Sequence, residues 1–203
     1  MSTWISEAGR AGGIFALLLG AAGCGAVGQY PPQVELGPPR FVVAAPSGFC
    51  VDPAASRIAE RSATVFLADC AVLAGRKREG SVLLAVTVAP APPEGTSPPD
   101  PARAAEALGR IAARAALSRS GRAETVTVIS ATPEDGTLFL ALADSAPFPG
   151  GAVDPEYRRA FAVVAGRTVS VAAYAPKGGA PATSDLDAVL RAALGAVRAA
   201  NRG

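Results

Sequence analysis

Two short apolar runs, each meeting a cysteine at its rim, constrain this chain more than any other feature. Arg40-Phe-Val-Val-Ala-Ala45 reads as a strand and turns at Pro46-Ser47-Gly48, with Cys50 just beyond. Ala63-Thr-Val-Phe-Leu-Ala68 is a second strand-like run and closes on Asp69-Cys70. The polar interval from Ser56 to Ser62 between them is expected as an excursion with little to order it. Strand ends in neighbouring positions bring α-carbons within disulfide range, so the two cysteines are placed to face one another.

Downstream, Ser81-Val-Leu-Leu-Ala-Val-Thr-Val88 is rich in β-branched residues and nearly continuous in apolar character, as an interior strand should be. Ala89 to Pro99 carries too much proline for a packed element. Asp100-Pro101 then has the form of a helix start, and one helix is expected from there to Gly121. Its apolar side holds Leu108, Ile111, Ala112 and Ala115. Glu124–Ser130 with Thr137–Leu142, and Tyr157–Val164 with Thr168–Tyr174, read as two hairpins. Ala165 stands where asparagine would suit a tight turn, so the second hairpin is expected to turn through a longer loop. A closing helix carries the stripe Leu186, Val189, Leu190, Ala193, Leu194 and Val197, with Ser184 and Asp187 spaced like a capping box.

This order of elements gives an α+β fold: a mainly antiparallel sheet of about six strands with two amphipathic helices packed against it. Half of the residues are hydrophobic, but many are alanine and only 5% are aromatic. The core should therefore be built of small side chains, with Phe41, Phe66, Phe139, Phe161 and Tyr174 as its larger pieces.

Export is written at the amino terminus. Ile14-Phe-Ala-Leu-Leu-Leu19 opens an apolar run to Ala22 that is shorter than the roughly 20 residues a spanning helix needs, and it suits a signal-peptide core. Leu19-Gly-Ala-Ala-Gly-Cys24-Gly25 resembles the lipobox of bacterial lipoproteins, with Ala21 where leucine is usual. That resemblance implies cleavage before Cys24 and a lipid on its thiol; a simple secretory cut after Ala22 or Ala26 is the other reading. Three cysteines are an awkward count in an oxidising compartment. A lipidated Cys24 leaves Cys50 and Cys70 as a pair, whereas two reduced, buried thiols would suit a cytosolic protein. The expected organisation is a leader over residues 1–23, a proline-rich tether over 24–39 and one domain over 40–203.

Chemistry is thinly signalled. The chain has no histidine, which removes the usual general base, the commonest metal ligand and every Ser-His-Asp or Cys-His arrangement. A net charge of +2 is not that of a dedicated nucleic-acid binder. Asp52 and Asp69 flank the cysteines and are expected to cap backbone amides. Arg76-Lys77-Arg78 is a candidate surface contact for anionic lipid headgroups, although such a run is more often a solvated hairpin tip. No pattern calls for a metal or cofactor.

Gly48-Phe-Cys-Val-Asp52, Ala68-Asp-Cys70, Tyr157-Arg-Arg-Ala-Phe161, Ala165-Gly-Arg167 and Arg198-Ala-Ala-Asn201 together resemble a group of uncharacterised exported proteins of alphaproteobacteria, over residues 40–201. The layout of elements is similar to the small PsbP/Mog1-like sandwiches, which implies a binding or assembly role. The expected function is a non-catalytic binding or assembly module, lipid-anchored at the periplasmic side of the cell envelope, with an envelope protein as partner. The alternative is a periplasmic enzyme using serine or carboxylate chemistry.

Overall fold

The computed structural model describes residues 30–98, 100–148, 153–178 and 183–202. The leader and Cys24 lie outside the described residues, as do the side chain of Ser184 and with it the expected capping box.

The fold is α+β. Seven strands form one antiparallel sheet: β3 (Phe49–Ile58), β4 (Ala63–Asp69), β5 (Leu83–Val88), β6 (Val126–Glu134), β7 (Thr137–Asp144), β8 (Val153–Val164) and β9 (Arg167–Pro176). Their spatial order is β3-β4-β5-β9-β8-β7-β6, two meanders joined where β5 pairs with β9. A separate hairpin precedes them, β1 (Gln33–Leu36) and β2 (Phe41–Ala44). The helices are α1 (Cys70–Leu73), α2 (Pro101–Ala107), α3 (Ile111–Leu117) and α4 (Thr183–Ala200).

Side chains alternate across the sheet, and the two faces are covered differently. One face presents Val65, Leu67, Leu84, Val86, Val171 and Ala173, all buried. It lies beneath α4 and the β1–β2 hairpin: Leu190 and Val197 from the helix, and Leu36, Phe41 and Val43 from the hairpin, join the same core. The expected stripe of the closing helix is thus its packed face. On the other face α2 and α3 lie over β6–β8, where Leu117, Leu138, Leu140, Leu142 and Tyr157 are buried together.

Several expectations are corrected. β1 falls inside the stretch read as a tether: Leu36 is buried, and Pro31 and Pro32 carbonyls accept hydrogen bonds from Val51 and Ala45 amides. The folded region therefore reaches back to Pro31. The first run, β2, belongs to the separate hairpin and is not the neighbour of the second run. Cys50, expected at its rim, lies at the start of another strand, β3, which continues through the supposed excursion to Ile58. A bulge between Asp52 and Arg57 makes this continuation possible. Asp52 Oδ1 accepts from the Ala54 and Ala55 amides, and Ser56 Oγ donates to Asp52 O while accepting from Phe66 N. The serine hydroxyl supplies the ladder bond that the bulge interrupts.

The expected single helix is two. The chain leaves helical geometry between Ala107 and Ile111, where Gly109 is the weakest helix former. The break turns Ile111 out to 70% exposure instead of into the core; Leu117 is the buried anchor. At the β8–β9 tip the turn is the tight two-residue kind, not a longer loop. Val164 pairs with Arg167, and Ala165 (φ +45°) and Gly166 (φ +74°) both take the left-handed conformation of a type I′ hairpin. Of the aromatic residues expected in the core, Phe41 and Tyr174 are buried; Phe66, Phe139 and Phe161 are only half-buried, and Tyr157 is the largest buried side chain.

Candidate functional site

The sheet has two faces and two halves, and among the described residues a helix or the β1–β2 hairpin lies over part or all of three of these four quadrants. On the α4 face, Ser130, Thr132 and Ala141 of β6 and β7 nevertheless stay exposed or half-exposed. The fourth is the α2–α3 face over β3, β4, β5 and the near side of β9. Here β4 and β5 alternate strictly, the opposite-face residues buried and Thr64, Phe66, Leu83, Ala85 and Thr87 half-exposed.

Register places these side chains in rows. Asp52, Phe66, Ala85, Ala172 and Arg159 are successive partners across β3-β4-β5-β9-β8. Arg57, Thr64, Thr87, Ser170 and Phe161 form the next row, and Leu83, Tyr174 and Tyr157 lie in the row on the other side. The result is a groove running along the strands. One part, about 570 Å³, lies over Phe66, Leu83 and Phe148, with Asp52 and Arg57 at the rim. It adjoins a second hollow of about 600 Å³ through shared Arg57 and Thr64, which continues past Thr87 to Ala89 and Ile58. Ile58 is 50% exposed at that end.

Two polar arrangements border the groove. Arg159 Nε donates to Ser170 Oγ at 2.8 Å, and its guanidinium lies 5.0 Å from the centre of the Phe161 ring. Among the described residues Arg159 has no carboxylate within ion-pair distance. Beyond Phe148, Arg119 and Asp144 form a closed cluster. Asp144 is buried and accepts from the Arg119 amide (2.7 Å), Arg119 Nε (3.3 Å) and the Ala146 amide (2.9 Å). Burial alone would push its carboxyl up, but these donors outweigh burial and hold it below the usual value. Arg119 also lies against the Phe148 and Tyr157 rings. Tyr157 stacks on Tyr174 at 5.0 Å and donates to Leu117 O, and burial pushes its hydroxyl up to about 12.

The residues singled out from sequence are distributed differently. Cys50 and Cys70 lie at disulfide distance, their sulfurs 2.05 Å and α-carbons 5.0 Å apart, tying the start of β3 to the end of β4. Asp52 and Asp69 cap amides as expected: Asp69 Oδ1 accepts from Ala71 N at the start of α1, and its Oδ2 meets Arg78 at 2.6 Å. Arg76, Lys77 and Arg78 are exposed on the loop after α1, away from the groove. Arg159, Arg119, Asp144 and Ser170 were not legible as a site, since Arg159 meets Ser170 only through strand register and Arg119 reaches Asp144 only from the loop after α3. The one available signal was Arg158-Arg159 inside a run that otherwise reads as a strand.

Among the described residues no group of three or more Cys, Asp or Glu could hold a metal ion, and no helix is long and apolar enough to cross a membrane. Comparison of the chain with protein-family models, with curated proteins and with solved structures found no match.

Proposed function

We propose that the chain is a non-catalytic binding module of the cell envelope, anchored by a lipid on Cys24, that docks an amphipathic helix of a partner protein in the open groove. The observation that carries this is the uncovered quadrant. Among the described residues each other quadrant of the sheet carries at least one amphipathic element of the chain itself, whereas this one offers a half-apolar floor with no helix on it. Its dimensions suit one helix. Strands about 4.8 Å apart give β3 to β9 a breadth of about 14 Å, against a helix diameter of about 10–12 Å. The six residues of β5 span roughly 20 Å, the length of a three- to four-turn helix.

The chemistry of the partner follows from the rim. Its apolar stripe would meet Phe66 and Leu83, and an acidic flank would meet Arg159, whose partners here are a hydroxyl and a ring. Such helix-in-groove recognition draws its affinity from a few apolar anchors. The envelope part of the reading is supported by the lipobox-like run and by the Cys50–Cys70 pair, which leaves Cys24 as the unmatched cysteine.

A photo-crosslinking benzoyl-phenylalanine in place of Phe66, in the native cell, tests the groove. The expected result is an adduct to a defined helical segment of one envelope protein, lost when Leu83 is changed to Arg. Crosslinking no stronger than from a residue on the α4 surface, such as Ala192, would overturn the reading.

A further inference from the structure

We infer that Arg76, Lys77, Arg78 and Lys177 form one basic corner that seats the domain on an anionic lipid surface, with the sheet standing on its Cys50 end. The inference rests on the envelope location proposed above but not on the groove.

Strand pairing brings these residues together. β4 ends at Asp69 and β9 ends at Pro176, and both run to the same end of the sheet because each is antiparallel to β5. The loop after α1 and the turn after β9 then share a hollow of about 640 Å³, walled by Arg78 and Glu79 on one side and Lys177 and Gly178 on the other. Lys177 therefore lies across this hollow from Arg78, the residue that follows Lys77 in sequence. Arg76, Lys77 and Lys177 are exposed and, among the described residues, have no carboxylate within ion-pair distance. Arg78 is held by Asp69.

The chain also enters the fold at this corner. Pro31 and Pro32 bond to Val51 and Ala45, next to Cys50, so a tether from a lipidated Cys24 would deliver the domain with this end towards the bilayer. Acids at the same end stand mainly on its far side: Asp154 and Glu156 on β8, and Asp185 in the first turn of α4. Three strand spacings, about 14 Å, separate β8 from β4 and the Arg76–Arg78 loop, more than a Debye length of about 8 Å at physiological salt, while Lys177 after β9 is one spacing from β8. Glu79 is the one acid within the basic loop itself. A negatively charged bilayer thus attracts the β4–β5 corner and repels the β8 side, which fixes a tilt as well as an end. It also leaves the groove, which runs along the strands, open to the side.

Vesicle binding tests this with the mature chain from residue 24 carrying Cys24→Ser, so that neither the apolar leader nor an acyl group masks the contribution. The probes are vesicles of phosphatidylcholine alone and of phosphatidylcholine mixed with phosphatidylglycerol. The parent should prefer the anionic vesicles. The triple variant Arg76→Gln/Lys77→Gln/Lys177→Gln should lose that preference by on the order of a hundredfold at low salt, less as salt rises. Arg40→Gln/Arg61→Gln/Arg202→Gln removes as much charge from the opposite end and should leave it unchanged. Equal partition of the parent into both vesicles, or equal losses in the two variants, would overturn the basic corner. Neither result touches the anchor itself, which fails separately if mature Cys24 carries no lipid.

Discussion

The side-chain amide of Asn201 makes both hydrogen bonds to the backbone of Val42. Its Oδ1 accepts from Val42 N at 2.8 Å and its Nδ2 donates to Val42 O at 2.7 Å, as a neighbouring strand would. Nδ2 also reaches Val197 O, one turn back along α4. One residue thus ends the closing helix and fastens it to the first hairpin, while Arg198 holds Thr137 Oγ1 on β7. Asn201 and Arg198 belong to the carboxy-terminal motif quoted from the sequence, and their roles here are structural.

Replacing Asn201 by Ala should therefore cost about 1–3 kcal/mol, because the polar groups of Val42 lose their partner at a part-buried site. Asn201→Asp can still accept from Val42 N but cannot donate to Val42 O, and should recover only part of the loss. Urea unfolding of the three proteins checks the order.

The Asp144 cluster gives a signed pH dependence. Its carboxyl lies below the ordinary 3.8 in the folded chain, so in the window just below that value the unfolded state binds more protons than the native one. The stabilisation is present above about pH 4 and is lost as pH falls through the lower folded value. Asp144→Ala leaves the Arg119 guanidinium, 11% exposed, without its carboxylate and with only the residue 144 carbonyl to accept from it, and should cost about 3–5 kcal/mol at pH 7. The difference in stability between parent and variant should shrink on acidification, which unfolding curves from pH 7 to pH 2 would show.

What was legible in the sequence is what repeats at short range. The α4 stripe, the β4 and β5 runs and the two late hairpins follow from periods of 3.6 and 2, and the structure keeps them. β3 was missed because Asp52-Pro53-Ala54-Ala55-Ser56 has turn chemistry, and only the contact of Ser56 with Phe66 on the next strand makes it a bulge. β1 was missed because its four residues lie between prolines and gain their order from β2. The groove was illegible for a different reason. Phe66 alternates as a core residue should, and nothing local says that α2 and α3 will cover β6–β8 and stop short of it. Lys177 likewise joins Arg76 and Lys77 only through the pairing of β5 with β9.

The cysteines make a paired prediction. In mature protein isolated without reductant, alkylation after denaturation should find no free thiol at Cys50 or Cys70, and intact mass should show a diacylglyceryl group on Cys24. Cys50→Ser/Cys70→Ser should keep the fold with stability lower by roughly 3 kcal/mol, the chain-entropy value for a separation of 20 residues. Two reactive thiols would refute the bond, and a soluble product beginning at Gly23 or Val27 would refute the lipid.

Arg167 carries the last prediction. It is 2% exposed, and among the described residues no carboxylate lies within ion-pair distance. Its Nε donates to Ala89 O at 3.2 Å and its Nη2 to Arg61 O, while the guanidinium lies over the Phe41 ring. One side chain thus joins the β3–β4 turn, the end of β5 and the first hairpin. Nη1 is buried without a protein partner, and burial lowers the pKa of the group. A cation left so poorly paired is retained for its shape: the planar fork reaches two carbonyls on separate segments, which a single ammonium cannot do in the same geometry. Arg167→Lys should therefore destabilise by about 1–3 kcal/mol despite keeping the charge, through the carbonyl left unpaired. Arg167→Met removes the burial cost of the charge but abandons both carbonyls, and should be no more stable than the lysine variant. If methionine equalled or exceeded arginine in unfolding midpoint, the clamp would contribute nothing beyond its hydrophobic volume.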